Sequence, residues 1–135
     1  MDKCMEKLLS LTMSDPQTET RRVTRLGLDV TVRELPYDEV ERCGREGEDR
    51  DLHYLLAATV APDFRDEAWY RGKLGCPTPI QALKKLFRHG EVKALVAVID
   101  RLNGYRGAVL SNPEELENEA VGATAEALAK NAPGT

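Results

Sequence analysis

At 135 residues and 15.0 kDa the chain is long enough for one ordinary domain and too short for two. Its 41% hydrophobic residues can build a core, while 31% charged residues and a mean hydropathy of -0.44 point away from an integral membrane protein. A net charge of -4 argues against nucleic acid as a partner, because that affinity comes from clustered Lys and Arg releasing counterions.

The first element is a helix over 1–13, with Met5, Leu8, Leu9 and Thr12 on one side, stopped by Ser14, Asp15 and Pro16. Asp2, Lys3, Glu6 and Lys7 break its apolar residues, so it does not read as a secretory signal, and no apolar run reaches the ~20 residues that span a bilayer. A reducing cytoplasm is the expected compartment. Over 20–35 a β-hairpin is expected: Leu28, Val30 and Val32 alternate with Asp29, Thr31 and Arg33, and Gly27 supplies the turn. Pro36 closes it, and a short helix over 37–43 follows, with acids in its first turn. Residues 44–51 (GREGEDRD) contain no apolar side chain and read as a loop, the best candidate for an internal flexible joint.

The second half holds most of the apolar content. Leu52, Leu55, Leu56 and Val60 recur at helical intervals over 51–61, ending before Pro62. A shorter helix over 66–74 carries Trp69, the only tryptophan. Thr78-Pro79 is a start signal, an N-cap hydroxyl with proline in the first helical position, for a helix to about Phe87. Gly90 separates it from a helix over 91–103, which Gly104 ends. In that last helix Val92, Leu95, Val96, Ile99 and Leu102 form a stripe that Ala94, Ala97 and Val98 widen around the cylinder. Such breadth marks a helix that is either central to the domain or touches a partner as well as the core. Beyond Tyr105, Leu116, Val121 and Leu128 are sparse among acids and alanines, and a weakly structured tail over 106–135 is expected.

No catalytic or metal constellation stands out. Cys4, Cys43 and Cys76 form no CxxC, and His53 and His89 form no HxxxH or HExxH. A Cys76–His89 nucleophile pair would need an activating environment, which is not something a single sequence shows. GREGEDRD lacks the ligand order of an EF-hand loop, and neither a P-loop, GxGxxG nor GxSxG occurs. No cofactor is expected, and the chain reads as a binding protein rather than an enzyme.

The run from Asp51 to Tyr105 resembles the XkdN-like phage tail assembly chaperones. The likeness rests on the order of its breaks: Pro62-Asp63, Leu74-Gly75, Thr78-Pro79, the leucine-rich 83–87, Gly90-Glu91 and Gly104-Tyr105. LDVTVRELPYDEV, over 28–40, is similar to the family's strand and the helix after it. The resemblance spans roughly 20–105; the loop over 44–50 does not align, and nothing is carried to the tail.

This resemblance implies a non-virion assembly factor of the host cytoplasm. It would bind the long, apolar, helical tape measure protein until tube subunits polymerise, with the tail tube protein as a second candidate partner. The resulting expectation is a mainly α (α+β) protein: a helix and linker over 1–19, and a chaperone domain over 20–105 combining a two-stranded hairpin with helices. Leu83, Leu86, Phe87, Val92, Leu95, Val96 and Ile99 are the candidate client-binding residues, and Leu95→Asp is expected to abolish client solubilisation. Two other readings stand beside it: a head–tail or tail component retained in the virion, and a small helical regulator that dimerises through 91–103.

Overall fold

The alternation of Val30 and Val32 with Asp29, Thr31 and Arg33 does build a strand, and that strand is the centre of the sheet. The structure, a computed structural model, describes residues 2–105, 107 and 109–113. Within them run helix α1 (Lys3–Ser10), strands β1 (Thr18–Val23) and β2 (Leu28–Arg33), helix α2 (Tyr37–Gly44), helix α3 (Arg50–Ala58), strand β3 (Thr59–Ala61), and helices α4 (Pro79–Leu86) and α5 (His89–Leu102). A 3-10 turn at Gly47–Asp49 leads into α3, and a π-helical turn at Ala68–Lys73 stands where a short helix over 66–74 was expected. The expected tail over 106–135, with Leu116, Val121 and Leu128, lies outside the described residues except for 107 and 109–113.

The architecture is α+β, and the expected two-stranded hairpin is corrected to a three-stranded antiparallel sheet of order β1-β2-β3. β1 and β2 pair from Thr18↔Arg33 to Val23↔Leu28, across a turn in which Gly27 adopts φ +59°, a conformation that glycine takes without steric penalty. On one face Val30 and Val32 are sealed into the core. The other carries the Thr20–Thr31 hydroxyl pair, at 2.7 Å, and the two-pronged Arg22–Asp29 ion pair.

β3 occupies the last residues of the helix expected over 51–61. At Thr59 both the backbone N–H and the hydroxyl donate to the Leu55 carbonyl, the hydroxyl at 2.7 Å. The chain then extends and pairs with β2 at Thr31↔Ala61 and Val32↔Thr59. Two adjacent β-branched residues before a proline favour this extended path.

α3 is the central helix, with Tyr54, Leu55, Leu56, Ala57 and Ala58 all buried, and it packs against α2, α4 and α5. A helix buried on nearly every side has no amphipathic stripe left for solvent. α4 opens as its sequence requires, with Thr78 Oγ1 accepting the Gln81 N–H at 3.2 Å and Pro79 in the first turn. α5 closes at Gly104, whose φ of +85° lets the Tyr105 N–H return to the Asp100 carbonyl at 2.9 Å. Residues 44–51 are less free than a loop without apolar side chains implies: Lys84 reaches Asp49 at 3.0 Å and Lys93 reaches Asp51 at 2.5 Å, tying the segment to α4 and α5.

α1 is shorter than the helix expected over 1–13. Asp2 caps it by accepting the Met5 N–H at 2.7 Å, and none of its residues is buried.

Candidate partner-binding clefts

α4 and α5 meet at a corner made by Phe87 and Arg88, and clefts open on its flanks. The first, of about 770 Å³, has Leu52, Leu83, Phe87 and Val92 among its walls and Lys84 and Lys93 at its rim. A second, of about 600 Å³, lies between β1 and α5, bounded by Val23, Ala94, Leu95 and Val98 with Arg25 and Glu91. The third, of about 500 Å³, is walled by Leu26, Leu28, Pro62, Phe64, Trp69 and Leu86. Aromatic packing builds its inner wall: the Phe64 ring lies 5.4 Å from Trp69 and meets Phe87 edge-on at 5.8 Å.

The seven residues expected to face a client divide unevenly. Leu83 and Ile99 have no exposure at all, and Phe87, Val92 and Leu95 are also buried in the main core. These five pack the protein's own interior, because α3, α4 and α5 turn their strongest apolar stripes toward one another. Leu86 and Val96 are only partly buried: Leu86 keeps surface in the third cleft, and Val96 in a smaller recess beside Val40, Tyr54 and Asp100. The seven therefore form no continuous open face. Val98 and Ala94 are the surface residues that complete the β1–α5 cleft. Their signal was the width of the α5 stripe, since the residues beyond the main stripe on a broadly apolar helix are those that the core covers less completely.

An electrostatic clamp fixes the corner. Arg25, just past β1, donates to both Glu91 carboxylate oxygens, at 2.7 and 2.9 Å, and to the Leu86 carbonyl at 2.8 Å. Glu91 also accepts the Arg88 N–H at 2.7 Å, satisfying a donor at the start of α5. These bonds, the Arg25 guanidinium first and the Arg88 amide second, hold the Glu91 carboxyl down at about 2, from an ordinary value of 4.5. A carboxyl whose pKa is depressed by folding contributes its stability above its unfolded value and loses it as the pH falls through the folded value. Glu91→Gln is thus expected to be less stable than the parent at neutral pH. In urea titrations the difference should shrink as the pH falls from about 4.5 toward about 2. A difference that stays constant across that interval would show that the carboxylate charge is not what holds the corner.

The candidate chemical groups lie apart. Cys76 is buried in a satellite cluster with Tyr70 and Ala82, whereas His89 lines the first cleft. Burial pushes the Cys43 thiol up from its ordinary value, away from the thiolate form. Among the described residues, no three His, Cys, Asp or Glu side chains are grouped to hold a metal ion, and no helix is long and apolar enough to cross a membrane.

Fold and clefts together define an α+β protein whose apolar recesses surround one helix corner. No protein-family model matches the chain, and no curated protein or solved structure does either.

Proposed function

We propose that the protein is a phage tail assembly chaperone that holds amphipathic helical segments of a tape measure protein until the tail tube forms around them. The observation that carries this reading is the apolar surface that α5 leaves at exposed Ala94 and partly buried Val98, in a cleft floored by Val23 and Leu95. A groove between a helix and a strand accepts the apolar face of another helix, and its charged rim, here Arg25 and Glu91, meets the client's polar flank. The resemblance of 20–105 to the XkdN-like chaperones points to the same kind of client. Burial of about 800 Å² on each partner is enough for a specific complex, and release of the client requires moderate affinity. On this reading the protein works in the host cytoplasm and is absent from finished virions.

Leu95 lies in the core, so Leu95→Asp would report on folding rather than on docking. Val98→Asp is the appropriate probe, because Val98 is only half-buried and lines the cleft. Co-expressed with the tape measure protein, the parent is expected to keep the client in the soluble fraction and Val98→Asp to lose most of it to the pellet. Because Val98 also packs against the core, the variant should unfold at a lower temperature than the parent, and solubility is compared where circular dichroism shows both folded. A folded Val98→Asp variant that solubilises the client as well as the parent does would remove this cleft from the proposal.

A further inference from the structure

Among the described residues β1 is an edge strand, and no other strand takes up the hydrogen-bonding groups of its outer edge. The Glu34 N–H donates to the Gln17 carbonyl at 2.9 Å, which makes Gln17 and Glu34 a hydrogen-bonded pair at the end of the ladder. Alternation then turns the amides and carbonyls of Thr18, Thr20 and Arg22 outward. The Thr20 carbonyl takes the Arg21 guanidinium of its own strand at 2.9 Å, a side-chain substitute for a strand partner.

We propose that a second copy of this chain pairs with that edge, β1 against β1, antiparallel about a two-fold axis through Thr20. Such an axis stands perpendicular to the sheet, so only registers that place a residue opposite itself are allowed. The β1 charges select among them. With Thr20 on the axis, Glu19 of each copy lies opposite Arg21 of the other, and Thr18 lies opposite Arg22. Moving the axis to Arg21 sets two arginines face to face, and moving it to Glu19 sets two glutamates face to face. Like charges directly opposite destabilise a strand pair and opposite charges stabilise it. Only the Thr20 register is therefore electrostatically self-complementary. Glu19 and Arg21 already form a 2.8 Å ion pair within the strand, so the exchange replaces one partner with its equivalent. The product is a six-stranded sheet with both α5 helices on the same face.

The test uses the full chain and reads mass in solution by light scattering over a concentration series. The expected result is a rise to twice 15.0 kDa. Thr20→Pro removes one outward N–H and leaves the β1–β2 ladder bonds in place, and it should return the mass to that of one chain with the helical circular dichroism signal unchanged. Cysteine cross-linking fixes the register. In a Cys4→Ser background, needed because Cys4 is exposed, Thr20→Cys should form a disulfide dimer under mild oxidation, its residues being within bonding reach across the axis. Thr18→Cys should remain uncross-linked. A parent of single-chain mass at every concentration overturns the proposal. So does a dimer that Thr20→Pro leaves intact, or one that cross-links through Thr18→Cys rather than Thr20→Cys.

Discussion

Leu83→Ala is expected to destabilise the protein by about 2–5 kcal/mol, the range for deleting a fully buried leucine from a core that relaxes only partly. Leu83 has no solvent exposure and belongs to the cluster of Leu55, Ile99, Val30 and Val32, where the sheet meets α3, α4 and α5. Against a typical net stability of roughly 5–15 kcal/mol that is a large share. Urea unfolding should show a lower midpoint with an unchanged slope, since the folded surface is the same apart from a cavity. Leu86→Ala, at a partly buried position three residues on, should cost clearly less. If the two variants fall equally, Leu86 belongs to the core as fully as Leu83 does, and the third cleft is not open surface.

The second large effect belongs to Asn103. Its Oδ1 accepts the Leu35 N–H at 2.8 Å and its Nδ2 donates to the Tyr54 hydroxyl at 2.6 Å, so one amide joins the end of the sheet to α3 at the C-terminus of α5. Asn103→Ala leaves the N–H of buried Leu35 without its acceptor, at roughly 1–3 kcal/mol. Tyr54→Phe should cost less. It removes a hydroxyl whose phenol burial already holds neutral, raising its pKa, and the half-exposed Asn103 amide can turn to water. Chemical denaturation of the two variants side by side checks the ranking, and a greater loss in Tyr54→Phe would show that the Leu35 bond is not the important one.

Much of the fold was legible because its signals are local. The Val30 and Val32 alternation, Gly27, the Thr78-Pro79 start and the Gly104 stop each act within a few residues, and each produced the element that its chemistry demands. β3 was missed because Val60 sits four residues after Leu56 and so completes an apparent helical stripe, although it proves largely exposed. What settles Thr59–Ala61 is pairing with a strand nearly thirty residues upstream, which periodicity does not encode. The adjacent β-branched residues at 59 and 60 were the available warning.

Which of the expected client-binding residues are core could not be read from the sequence, for a related reason. Helical spacing groups Val92, Leu95 and Ile99 on one face but does not say whether α3 or the outside meets it. Nor does any sequence window join Arg25 to Glu91, 66 positions apart. The residues left at the surface, Val98 and Ala94, are those that made the α5 stripe wider than a core contact needs.

The Arg25 clamp has a dynamic consequence. A lone two-stranded ribbon frays at its tip, but here the tip grips both the end of α4 and the start of α5. Opening of the turn is therefore coupled to opening of the corner. The recesses on either side share that post, so on the proposed function a guest helix would meet walls already in position and give up less freedom on binding.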